Sequence, residues 1–151
     1  MEIKRYRWQR TLLGIIITLA APFLQAASFV SVHSDYAIMY DAPSTRGGKL
    51  WLVRQGTPLK RVVALSTWTK VRDSDGTLSW IENSALSSRR MLMVTVPEAV
   101  VYASPKAGAD RLFSLAQSVV VELSGKPVGG WVQIKHQAGS GYVKTSQVFG
   151  L

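Results

Sequence analysis

A single pattern of residues occurs twice along this chain. Ile38, Tyr40 and Pro43 return as Val100, Tyr102 and Pro105, each 62 positions later. Leu50, Trp51 and Leu59 return as Leu112, Phe113 and Val121 at the same offset. Trp68 and Val71 match Trp131 and Ile134 at 63, and Trp80, Ile81 and Ser84 match Tyr142, Val143 and Ser146 at 62 again. A steady offset with matched residue types marks a repeated structural unit. The one-step drift implies a longer loop before the second Trp and then a shorter hairpin, which is where insertions and deletions belong. A unit of roughly 60 residues buries only about 60% of its unfolded surface. The halves are therefore expected to pack against each other.

Within each copy the local pattern is β. Phe29 to Val32, Ala37 to Tyr40, Lys49 to Val53, Pro58 to Leu65, Thr69 to Arg72 and Leu78 to Ile81 are short runs rich in β-branched and aromatic residues. Turn residues separate them, with Asp75-Gly76 the strongest hairpin signal. The second copy offers Val100 to Tyr102, Leu112 to Leu115, Val119 to Leu123, Val132 to Lys135 and Gly141 to Val143. Met91 to Val96 is a further strand-like run that either completes the second unit or bridges two sheets. No segment after residue 27 has helical periodicity. Glu82 to Leu86 and Lys144 to Val148 suggest single helical or 3₁₀ turns. Many short strands with tight turns predict an all-β chain built as two small barrels.

The N-terminus has a different grammar. Lys4, Arg5, Arg7 and Arg10 precede an uncharged, mostly apolar stretch from Thr11 to Leu24, and Ala26 and Ala27 follow. This is the three-part layout of a secretory signal peptide, with cleavage expected between Ala26 and Ala27. The alternative is an uncleaved anchor, but a stretch of 14 residues falls short of the ~20 that a spanning helix needs. The expected division is a signal peptide at 1–26 with no anchor after its removal, a first unit at 28–90 and a second at 91–151. Export by a Sec-type signal peptide would place the chain in the periplasm or outside the cell.

Without residues 1–26 the net charge is +6, with +4 in 27–90 and +2 in 91–151. The excess is spread out rather than clustered on one stripe. That disfavours a nucleic-acid partner and suits solubility or weak attraction to an anionic surface. The chain has no cysteine, so disulfides and thiol chemistry are excluded.

Residues 68–86, WTKVRDSDGTLSWIENSAL, and 131–148, WVQIKHQAGSGYVKTSQV, carry the most specific pattern. Each has a Trp, a strand, a hairpin turn, an aromatic and a short turn ending in an aliphatic residue. This resembles the closing half of a bacterial SH3-like (SH3b) domain. Residues 28–151 resemble a tandem SH3-like family of exported proteobacterial proteins. Two departures stand out. The Arg common near the start of such domains is Tyr40 and Tyr102 here. The Gly before the second-hairpin aromatic is Ser79 in the first copy but is kept as Gly141 in the second. The resemblance implies SH3-like barrels and points to cell-wall peptides or glycans as ligands.

Catalysis finds little support in the residues. His33 and His136 lie in different copies, beside no carboxylate cluster or His-x-x-x-His spacing. Asp73 and Asp75 flank a hairpin turn, where Asp is favoured for local backbone bonding. No serine stands in a nucleophile elbow. No cofactor, metal or catalytic residue is therefore expected. Aromatic residues are the expected carriers of binding. Trp68 and Trp131 read foremost as core, and Trp51 and Phe113 as core or contacts between units. Tyr40, Trp80, Tyr102 and Tyr142 have two readings: core, or the flanks of a groove that stacks on sugar rings or cradles an extended peptide. The expected function is a non-catalytic binding module of the cell envelope that recognises peptidoglycan or its peptides. The alternative is a protein–protein interaction or scaffold pair that meets an envelope protein through strand edges.

Overall fold

The computed structural model describes residues 28–151. The expected signal peptide and the Ala26–Ala27 cleavage bond lie outside the described residues. The first sheet comprises β1 (Phe29–Val32), β2 (Tyr36–Tyr40), β3 (Lys49–Arg54), β4 (Pro58–Ala64), β5 (Trp68–Arg72), β6 (Leu78–Glu82) and β7 (Leu86–Ser87). The second comprises β8 (Met91–Val94), β9 (Glu98–Tyr102), β10 (Arg111–Ala116), β11 (Val120–Leu123), β12 (Trp131–His136), β13 (Gly139–Lys144) and β14 (Val148–Phe149). The 3₁₀ turns Asn83–Ala85 and Thr145–Gln147 lead directly into the last strand of each.

The two sheets share one topology. Their strand orders are β3-β2-β6-β5-β4-β1-β7 and β10-β9-β13-β12-β11-β8-β14, which differ only by an increment of seven. Register agrees as well: Val30 lies opposite Leu59 in the first sheet, and Leu92 opposite Val121 in the second. Both sheets carry a bulge at the same place, where Leu50 and Leu112 slip out of register. The chain is thus all-β, folded as two SH3-like barrels. Met91–Val94 completes the second sheet, pairing with β11 and β14, rather than bridging the two.

Alternation places one aliphatic set inside each barrel. Val30, Val32, Ala37, Met39, Leu59, Val71 and Ile81 form the first core. Leu92, Val94, Ala99, Val101, Val121, Ile134 and Val143 take the corresponding positions in the second, joined by Leu115 and Val132. The large rings do not fill these interiors. Trp68 is buried and Trp131 half-buried, yet both pack outside the aliphatic clusters. The inward positions of so narrow a barrel suit branched aliphatics, and the rings occupy outward positions near the barrel end. Trp51 and Phe113 do pack against the cores.

The barrels also touch. Phe29 of β1 meets Phe149 of β14 edge to face, with centroids 5.2 Å apart. The Arg90 guanidinium lies 5.7 Å from the Phe29 ring centroid and donates to the Gly150 carbonyl at 2.7 Å. Ser31 Oγ donates to the Arg89 carbonyl at 2.8 Å, and Arg89 pairs with Glu122 at 2.7 Å. That hydrogen bond, helped by the Arg89 charge, holds the Glu122 carboxyl below the usual carboxylate range. The Ser88-Arg89-Arg90 junction therefore works as a clamp as well as a connection.

Candidate functional site

The four aromatic residues singled out in the sequence fall into two equivalent pairs, one in each barrel. Tyr40 lies directly opposite Trp80 across β2 and β6, and Tyr102 opposite Tyr142 across β9 and β13. Each first-named Tyr also meets a Trp at the start of a strand edge to face. Tyr40 and Trp68 have centroids 5.2 Å apart at 89°, and Tyr102 and Trp131 are 5.4 Å apart at 85°. Such T-shaped pairs set the rings' positive edges against negative faces. Tyr40 is buried in this stack, while Trp80, Tyr102 and Tyr142 are half-buried. Lys70 Nζ sits 5.8 Å from the Trp80 ring centroid.

The Tyr40–Trp68 stack leads to an open cleft of the first barrel. This cleft, of about 600 Å³, is lined by Pro43–Arg46, Ser66–Trp68 and Glu82–Ser84. Three local structures build it. The 41–48 loop closes on itself, with the Gly48 N–H donating to Asp41 Oδ1 at 2.8 Å and the Gly47 N–H to the Ser44 carbonyl at 3.0 Å. The β4–β5 turn supplies Ser66 and Thr67. Asn83, at the start of the 3₁₀ turn, ties that turn down: its Nδ2 donates to the carbonyls of Leu65 at 2.9 Å and Ser66 at 3.2 Å. Its Oδ1 accepts from the buried Thr69 hydroxyl at 2.6 Å. The cleft thus has one buried aromatic at its base and hydroxyl, amide and carboxylate groups on its walls. Arg46 and Glu82 place opposite charges among those walls. This mixture suits a polar ligand with one flat or apolar group.

Sequence reasoning missed Asn83. Its signal was an Asn directly after a strand and at the start of a short turn, a place where side chains bond to nearby backbone. In the second barrel the corresponding residue is Thr145, whose hydroxyl reaches one carbonyl, that of Gly130, at 3.2 Å. The position of buried Thr69 is taken there by buried Val132. The first barrel thus spends a buried polar pair on holding the cleft wall, and the second does not.

Both histidines lie away from the cleft. His33 lines a smaller cavity between the barrels with Gln55, Arg89 and Val120. His136 lies beside Phe113, and its Nδ1 accepts from the Ala138 N–H at 3.2 Å. Among the described residues no three His, Asp or Glu side chains gather as a metal site. No helix among them is long and apolar enough to cross a membrane.

Comparison with curated proteins gives no match. Among solved structures the chain is similar to NlpC2 and NlpC1 from Trichomonas vaginalis. Each is 13% identical with a TM-score of 0.39; the matches cover 83% and 91% of this chain and 48% and 50% of those chains. An NlpC/P60 family protein from Bacillus cereus is 12% identical with a TM-score of 0.37, over 81% of this chain and 56% of that one. The chain thus spans about half the length of these structures. The family model of the bacterial SH3 domain matches residues 33–88. Those residues run from β2 through β7 and include every residue of the cleft. Over those residues the first barrel of this chain is similar to the bacterial SH3 domain.

Proposed function

We propose that the protein is an exported, non-catalytic binding module of the cell envelope, and that the cleft of its first barrel receives peptidoglycan or its peptide stems. The observation that carries this reading is the cleft itself. It is open and polar-walled, includes the buried Trp68 in its lining, and lies wholly within the residues that match the bacterial SH3 domain. Peptide stems bring amides and carboxylates to such walls, and a sugar ring or apolar side chain would cover the indole edge. The positive net charge supports retention near an anionic wall. Tyr40 serves by fixing the Trp68 ring, and Tyr102 fixes Trp131 in the same way. Trp80 and Tyr142 are the remaining contact candidates on the outer faces. The proposed units are 28–90 and 91–151, preceded by a signal peptide at 1–26.

Retention on purified sacculi tests this reading. The protein should be retained above a charge-matched control protein. Ser84→Trp, at an exposed position on the cleft wall, should fill the cleft and abolish that excess without unfolding the barrel. Retention equal to the control, or unchanged by Ser84→Trp, would refute the cleft assignment.

One observation favours a second reading, a protein-interaction pair. The edge strand β3 exposes Leu50 and Leu52, with Tyr36 exposed on the neighbouring β2. An open edge with apolar side chains can accept an added strand. Cross-linking from a β3 position in cells would then capture one defined envelope protein.

A further inference from the structure

The pseudo-symmetry of the barrels exposes a difference in charge on their outer faces. Lys60 of β4 and Arg72 of β5 are register partners. Their counterparts in the second barrel, Glu122 and Lys135, are also register partners. The second barrel thus sets opposite charges across from each other, while the first sets two cations there, which costs stability. The next pairs along the strands continue the contrast. Lys70 faces Trp80, where the second barrel pairs Gln133 with Tyr142. Leu78, which is exposed, faces Arg72, where the second barrel has Ser140 facing Lys135.

Local carboxylates do not neutralise these cations. Among the described residues the one ion pair is Arg89–Glu122, between the barrels. Asp73, next to Arg72, accepts from the Asp75 and Thr77 N–H groups at 3.0 and 2.8 Å within its hairpin. Arg72 uses one N–H on the Gly76 carbonyl at 3.2 Å and keeps the rest of its fork free. Strand alternation places Trp68, Lys70 and Arg72 on one face of β5, so this surface continues from the cleft for about 13 Å.

We propose that the outer face of β4, β5 and β6 in the first barrel binds an extended carboxylate-bearing chain. Lys60, Lys70 and Arg72 hold its carboxylates, and Trp80 and Leu78 receive its apolar parts. A fork and two ammonium groups on one face, two along β5 and the third beside Arg72 on β4, match the carboxylates of an extended chain. In the cell-wall reading above, these are the carboxylates of peptide stems. Only that identification rests on the reading; the charge argument stands apart from it.

Binding of the full chain to soluble polyglutamate at low ionic strength tests the face. Lys60→Glu reproduces the second barrel's pairing in the first. It should weaken binding about tenfold while the melting temperature holds or rises. Lys106→Glu makes the same charge change on an exposed loop of the second barrel and should weaken binding less than about twofold. Equal losses for both variants, or none for Lys60→Glu, would overturn the proposal. So would preferential binding to phosphatidylglycerol vesicles over polyglutamate, since that would make the ligand a lipid surface. If polyglutamate binding depends on Lys60 but sacculi are not bound, the cell-wall reading falls and this face stands. If sacculi are bound through the cleft and Lys60→Glu changes neither probe, the face falls and the cleft stands.

Discussion

Gly141→Ser should destabilise the second barrel by about 3 kcal/mol, through overpacking together with a buried hydroxyl. A Cβ at Gly141 would lie 2.5 Å from Val101 Cγ1 and 2.8 Å from the Tyr102 carbonyl oxygen. Neither neighbour can retreat: one is a branched core side chain, the other backbone inside β9. The first barrel shows how the same position can hold a side chain. Ser79 is buried there, and the equivalent of Val101 in that barrel is Met39, unbranched and adaptable. Even so, the Ser79 hydroxyl finds no hydrogen-bond partner among the described residues. The small-residue rule at this position is therefore strict in the second barrel and relaxed at a cost in the first. Urea unfolding followed by the second barrel's Trp131 fluorescence would measure the loss. A variant as stable as the parent would show that the β9–β13 approach is looser than described.

Gly150→Ala should produce the other large effect, also about 3 kcal/mol, because it combines backbone strain with a steric conflict. Gly150 has φ +119°, in the region L-residues avoid, and an added Cβ would collide with the Met91 carbonyl oxygen. It would also come within 3.2 Å of Pro58 Cβ in the other barrel. The Gly150 carbonyl is the one that Arg90 grips. The substitution therefore strains the second barrel and pries at the clamp between the two. Calorimetry should show one melting transition for the parent and two for the variant, with the second barrel melting first. One unsplit transition at the parental temperature would mean that the barrels are not coupled through this contact.

Much of the fold could be read from the sequence because the repeat and the alternation report the same thing twice. A core position such as Val30 or Leu59 is confirmed by Leu92 or Val121 one period later, and the pattern of strand partners follows. Aromatic residues were harder to place. Ring size suggests burial, yet Tyr40, Trp68, Tyr102 and Trp131 occupy outward-facing alternate positions and bury themselves against each other. That arrangement depends on which strands close the barrel, which no local window contains. The cleft was harder still. Its walls come from three segments separated by 19 and 13 residues, namely Pro43–Arg46, Ser66–Trp68 and Glu82–Ser84. Asn83 ties the second and third of them together, and the 41–48 loop closes on itself beside them. The charge contrast between Lys60–Arg72 and Glu122–Lys135 was present in the sequence but silent until the register paired those residues.

The most direct test of the account is where a soluble muropeptide perturbs backbone amide resonances. Shifts should concentrate at Thr45, Arg46, Ser66, Thr67, Asn83 and Ser84, with the Trp68 indole signal moving alongside them and the second barrel unchanged. Saturating muropeptide that leaves those resonances in place, or that shifts only residues remote from them, would contradict it.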